Sequence, residues 1–194
     1  MSASKLDWIG VDYGSKLAGT TAICYNSVEG LVIRQSEKKS DADVFLSDFI
    51  DEHQPSVVYV DAPLSLPSVY TSKGEDYFYR SCDRLTKAMS PMFLGGLTAR
   101  AMRLSASFSE IEFRECYPGY FVRNNPIYSE FYLKKKPYTD TLEIMLSKAY
   151  VQKLTSALTN WHQLDAFICY LIGVKQVTGV GKVLGDAEEG LIYV

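Results

Sequence analysis

Three aspartates stand against apolar sequence where a surface carboxylate is not expected: Asp12 in IGVDYG, Asp61 in VYVDAP and Asp165 in HQLDAFICY. A carboxylate taken out of water needs a proton, a hydrogen-bonded partner or a cation. Three of them brought together suit one chemistry, the binding of a hard divalent ion such as Mg²⁺ or Mn²⁺ through oxygen ligands. Two such ions about 4 Å apart activate a water and stabilise the leaving oxygen of a phosphodiester. Each aspartate also has a plainer reading: Asp12 as a turn cap, Asp61 bonded to the backbone before Pro63, and Asp165 paired with an arginine. Asp12 has a third, because Gly14, Ser15, Lys16 and Gly19 follow it as in a phosphate-binding loop.

The elements that must position these residues are legible in outline. LDWIGVDY, TTAICYN and LVIRQS read as three strands joined by short turns, an antiparallel meander. Ser40 or Asp41 caps a helix that carries Phe45, Leu46, Phe49 and Ile50 on one face before Pro55. SVVYVD is a short apolar run of the kind found in buried parallel strands. In the resulting order β-β-β-α-β the helix is a crossover, so the first and fourth strands lie parallel and adjacent, with Asp12 and Asp61 at the same sheet end. PMFLGGLTARAMRLSASF is helical, IEFREC is a strand ending near Glu115, residues 140–158 and 162–177 are helical, and GLIYV closes the chain. His162 stands three residues before Asp165 on the same helix face, and Glu115 is a fourth candidate carboxylate. The expected class is α/β, with a mixed central sheet of three antiparallel strands then parallel strands and helices on both faces. A single domain over residues 1–194 carries a basic, loop-rich insertion around 62–136.

The chain of 194 residues has a net charge of −3, unevenly spread. Between Tyr77 and Lys136 ten Lys/Arg face five Asp/Glu, so that segment is +5 and the remainder is −8. A basic insertion beside an acidic remainder fits a protein that holds a polyanion near a carboxylate site; it fits equally a solvated surface with Lys134 to Lys136 in a loop. Cys24, Cys82, Cys116 and Cys169 are widely spaced and accompanied by two histidines, which points to reduced core cysteines and not to a structural zinc site. No apolar run approaches the ~20 residues needed to cross a bilayer, and MSASKLDW lacks a signal-peptide pattern, so a cytoplasmic protein with no membrane partner is expected.

Taken in order, GVDYG, VDAPLSLP, RSCDRLTKAM, ECYPGYF, LDAFICY and LGDAEEGLIYV resemble a family of predicted RNase H-like nucleases. More broadly the chain resembles the ribonuclease H-like fold, shared by ribonuclease H, Holliday-junction resolvases and transposases. The resemblance implies Mg²⁺- or Mn²⁺-dependent cleavage of DNA or RNA with Asp12, Asp61, Asp165 and Glu115 as catalytic carboxylates. It also implies His162 as a further metal ligand beside the three aspartates, since resolvases of this fold carry a His or Asp at that spacing. Arg80, Arg84, Arg100 and Arg103 become candidate phosphate contacts, their alternative being pairing with Asp83, Glu110 or Glu112, and Lys16 is a further candidate phosphate contact. Tyr117, Tyr120 and Phe121 can stack on bases or pack their loop. Departures from the family pattern are Tyr13 to Lys16, where Gly, Cys and Arg are commoner, and His162, where an acidic residue is. A resolvase-like symmetric cut would further require a homodimer.

Two other classes compete. GVDYGSKLAGTT also resembles the first phosphate loop of actin-like ATPases and sugar kinases, although no second copy of such a domain is legible. The other is a catalytically silent module that binds nucleic acid without metal-dependent turnover. Gly179 to Lys182 is no Walker loop, because Val183 stands where Ser or Thr is required.

Overall fold

In the computed structural model, which describes residues 6–71, 74–135 and 138–194, alternation along the first strand organises the molecule. In β1 (Trp8–Asp12), Ile9 and Val11 point to one side of the sheet, and Gly10 and Asp12 to the other. Strands β2 (Ala22–Ser27) and β3 (Gly30–Gln35) continue the meander. Helix α1 (Ala42–His53) follows, its N-terminus capped by Asp41, which accepts from the Asp43 N–H at 2.9 Å. It ends at Gln54, left-handed at φ 45°, just before Pro55. The crossover returns the chain as β4 (Val57–Asp61), parallel to β1.

Beyond β4 come α2 (Ser81–Thr86), α3 (Pro91–Leu94), α4 (Gly96–Ser107) and β5 (Glu112–Glu115). Then follow α5 (Pro118–Arg123), α6 (Pro126–Ser129), α7 (Tyr138–Ala149), α8 (Trp161–Val177), β6 (Val183–Asp186) and β7 (Gly190–Tyr193). The five-stranded sheet has the order β3-β2-β1-β4-β5, antiparallel on the β2 and β3 side and parallel at β1-β4 and β4-β5. This α/β architecture and the expected adjacency of the first and fourth strands are both present. Helices cover both faces: Leu46, Phe49 and Ile50 of α1 pack with Ile9, Val11, Val58 and Val60, and α8 packs on the opposite side with Ala22, Cys24 and Tyr59.

Helix α8 is buried without interruption from Leu164 to Gly173, which is why its sequence shows little amphipathic contrast. Gly10 allows its close approach. A Cβ there would lie 2.2 Å from the Tyr170 nitrogen and 2.5 Å from the Ala166 oxygen, both helix backbone that no rotamer change can move. Gly10→Ala is therefore expected to destabilise the fold by about 3 kcal/mol or more, as overpacking against rigid backbone does. A urea melt checks this; a loss below about 1 kcal/mol would mean that α8 is not held against β1 as described.

Three elements differ from expectation. The start of the insertion read as loop-rich contains a short 3-10 turn at Ser68–Thr71 and helix α2, whose first turn is closed by Asp83 accepting from the Arg80 N–H at 2.8 Å. The helix expected over 140–158 stops at Ala149. The backbone beyond it pairs with the sheet edge, Leu31 N–H donating to Lys153 O at 2.8 Å and Thr155 N–H to Leu31 O at 2.9 Å. The terminal segment is half of a hairpin, β6-β7, which turns through Gly185 and Gly190 at φ 121° and 156°. It touches the main sheet's edge through a Cys116–Tyr193 bridge. All four cysteines are free and buried, and no helix among the described residues is long and apolar enough to cross a membrane.

Candidate metal centre

The β1-β4 register sets Asp12 directly beside Asp61. Both belong to the alternating set that faces α8, and α8 passes over that sheet end with Asp165. One carboxylate oxygen from each lies within 4.8 Å of the others. Asp12 and Asp165 are buried, at 7% and 1% exposure, and Asp61 is partly buried. Asp12 and Asp61 line a cavity of about 490 Å³, and Asp165 lies behind them.

The immediate partners account for much of the arrangement but leave one oxygen over. Asp165 Oδ1 accepts from the Tyr132 hydroxyl at 2.7 Å. Its Oδ2 is, among the described residues, the one fully buried side-chain oxygen or nitrogen with no hydrogen bond; the Lys134 ammonium stands 3.6 Å away. Asp12 Oδ2 lies 2.7 Å from His162 Nδ1, and with Asp12 ionised that contact requires Nδ1 to carry the hydrogen. The cap of α8 keeps the ring there: Asn160 Oδ1 accepts from the N–H groups of His162 and Gln163 at 3.0 and 3.1 Å.

Electrostatically the cluster is strained by its own charge. Burial, then the neighbouring Asp165 carboxylate, push Asp12 well above the ordinary carboxylate range. Burial, then Asp12 and Asp165, do the same to Asp61. Asp165 is pushed up by burial to about 6, with Lys134 and the Tyr132 hydroxyl opposing. His162 is lowered, chiefly by burial. Three clustered acids that resist ionising together, one with an orphaned buried oxygen, are hard donors arranged for a cation. They fit Mg²⁺ or Mn²⁺.

The structure places the remaining candidate residues as follows. Glu115 lines the cavity, but both its oxygens are engaged: Oε1 accepts from Arg80 Nη2 at 2.6 Å, and Oε2 from Arg80 Nη1 at 2.7 Å and the Leu64 N–H at 3.0 Å. It is a braced neighbour of the three aspartates, not a fourth free ligand. His162 meets the cluster through its 2.7 Å contact with Asp12 and is not one of the grouped donors. Arg80 is completely buried between Asp83 and Glu115 and has no surface to offer a phosphate.

The other cations lie off the cavity wall. Arg100 binds Asp43 and the Gly14 carbonyl, Arg103 reaches Asp43 from a mostly exposed position, Arg84 pairs with Asp76, and Lys16 pairs with Asp41 at 3.0 Å. Burial alone would raise Asp43, but its bonds to Arg100 and Tyr13 prevail and hold it low. The Gly14 and Ser15 N–H groups donate to Thr21 Oγ1 and Thr20 Oγ1 at 3.0 and 3.1 Å, so the loop after β1 closes on its own threonines. Tyr117 lines the cavity and Phe121 packs in the core.

Lys134 and Tyr132 are neighbours of the aspartate cluster that the sequence did not single out. Among the described residues Lys134 is the lysine or arginine on the cavity wall, its ammonium 4.1 Å from the Trp161 ring centre. The run of three lysines contained the signal without saying which one returns to the aspartates; Lys136 lies outside the described residues, as do Met1 to Lys5 at the start of the stretch read for a signal peptide. No family model matches the chain, and neither a curated protein nor a solved structure does.

Proposed function

We propose that this protein is a divalent-metal-dependent nuclease of the ribonuclease H-like kind, hydrolysing phosphodiester bonds of DNA or RNA. The observation that carries the reading is the convergence of Asp12, Asp61 and Asp165 oxygens within 4.8 Å, with Asp165 Oδ2 making no hydrogen bond, beside a cavity that Asp12 and Asp61 line. A bound Mg²⁺ or Mn²⁺ supplies Lewis acidity toward the phosphate and the attacking water. Asp12, Asp61 and Asp165 would hold it. His162 fixes the rotamer of Asp12, Tyr132 that of Asp165, and the buried Arg80-Glu115 pair stiffens the strand end beside them. Lys134 places a positive charge where a phosphate approaching the aspartates would otherwise meet only carboxylates.

The phosphate-loop alternative is weakened by the internal bonds of Gly14 and Ser15. Incubation with labelled single-stranded, duplex and branched DNA and RNA tests the proposal. Cleavage is expected with Mg²⁺ or Mn²⁺, none with EDTA, and a loss of at least about 100-fold in Asp12→Asn, since even partners of metal ligands are worth 10- to 100-fold. If no substrate is cut, or the variant cuts as well as the parent, the nuclease reading is wrong. Phosphate release from ATP alone would favour the kinase-like class.

A further inference from the structure

Asp12 and Asp61 take up only part of the cavity wall. The remaining wall is largely apolar, built from Ala88, Met89, Leu94, Leu97 and Ile192, with the Trp161 ring beside Lys134. A phosphate and a metal ion need none of these groups. At about 490 Å³ the space lies in the range of small-ligand pockets, large enough for one nucleoside and too small for a length of double helix. Binding the interior of a duplex also calls for a track of free cations along its phosphates. Among the described residues Lys134 and His162 are the basic groups on the cavity wall, while Arg80, Arg84, Arg100 and Arg103 hold carboxylates elsewhere.

We infer that the apolar part of this cavity is a nucleobase pocket, so that the scissile phosphate belongs to an unpaired nucleotide, at a strand end, in a single strand or swung out of a helix. This rests on the nuclease reading for the role of the aspartates. The base is recognised by contact and stacking, which tolerate any sequence because every base has an apolar face. Met89 is 59% exposed, an apolar side chain at the mouth that an entering base would cover.

Calorimetric titration in Mn²⁺ with dAMP, dTMP and, as the base-free control, deoxyribose 5-phosphate tests the pocket without depending on turnover. Both nucleotides are expected to bind at least about ten-fold tighter than the sugar phosphate, the gain of one stacked base. Leu97→Trp, which fills the apolar end, should abolish that difference while Mn²⁺ still binds; Met89→Ala, at an exposed position, should reduce it several-fold. Equal affinity for nucleotide and sugar phosphate, or an undiminished difference in both variants, overturns the pocket. If nucleotides bind as expected and no polymer is cut, the pocket stands and the nuclease reading falls. Should polymers be cut while the sugar phosphate binds as well as the nucleotides, the nuclease reading stands and the pocket falls.

Discussion

In metal-free buffer, raising the pH from 5 to 8 is expected to lower the melting temperature by about 10 °C, and Mn²⁺ to restore most of the loss. The direction follows from proton binding. Asp12, Asp61 and Asp165 all have carboxyl groups raised in the folded state, so the folded chain holds protons that the unfolded chain has released. Their stabilising contribution is complete below the ordinary carboxylate value of 3.8 and is lost as the pH rises through the folded values, about 6 for Asp165. At 1.36 kcal/mol per pKa unit Asp165 contributes about 3 kcal/mol in all, of which about 1.4 kcal/mol, or about 4 °C, is lost between pH 5 and 8; Asp12 and Asp61, both raised well above 3.8, supply the rest. His162 acts oppositely: its lowered pKa favours the folded state as the pH rises through the ordinary value of 6.5. It is one half-buried group against three acids, so the acids decide the sign.

A cation in excess of its dissociation constant by about 100-fold returns about 3 kcal/mol, because it binds the folded cluster and not the unfolded chain. Asp61→Asn separates the two effects. Removing one of the three charges should raise the metal-free melting temperature at pH 8 and remove the response to Mn²⁺. Thermal melts at pH 5 and 8, with and without Mn²⁺, read both. A parent whose melting temperature is unchanged between those pH values, or a variant still stabilised by Mn²⁺, contradicts a cation site at these aspartates.

Arg80→Met is expected to destabilise the protein by about 3–5 kcal/mol, although it substitutes an apolar side chain of similar length in a site fully removed from water. Five side-chain bonds explain the size of the effect. Nε and Nη2 reach Asp83 at 3.0 and 2.6 Å, Nη2 and Nη1 reach Glu115 at 2.6 and 2.7 Å, and Nη1 reaches Ser65 at 2.9 Å. Methionine leaves two buried carboxylates uncompensated, and that residual charge, more than the lost attraction, sets the penalty. Arg80→Lys should rescue little, because an ammonium offers three donors from a single point and cannot follow the guanidinium fork. Adding Asp83→Asn and Glu115→Gln to Arg80→Met should recover part of the loss by neutralising the orphaned acids. Urea midpoints measure all three; a loss below about 1 kcal/mol in Arg80→Met would show that the carboxylates find other partners.

The same brace reaches outward. Glu189, just before β7, accepts from the Ser68 and Ser81 N–H groups at 2.9 and 2.7 Å, which joins the terminal hairpin to the loop after β4 and to α2. The residues RSCD and GDAEEG, far apart in the chain, are thus two sides of one contact region. Their composition hinted at importance, but nothing in either stretch said that each was the other's partner.

What was legible without coordinates was whatever depends on short-range pattern. Alternation in IGVD and VVYVD, a capped amphipathic helix between them, and the crossover geometry together determined that Asp12 and Asp61 sit side by side at one sheet end, and the register does pair them. Asp165 within an apolar helix marked a carboxylate that had to face something. Charge partners were a different matter, because an arginine in the sequence carries no record of which carboxylate the folded chain brings to it. Arg80, read as a phosphate contact or as a partner of Asp83, does pair with Asp83 but also with Glu115, which no sequence pattern linked to it, and Lys134, one lysine in a run of three, stands at the cavity. Tertiary structure alone decided these roles, since electrostatic pairing acts through space between segments 30 and more residues apart, whereas strand alternation and helix capping act within a few residues of the chain.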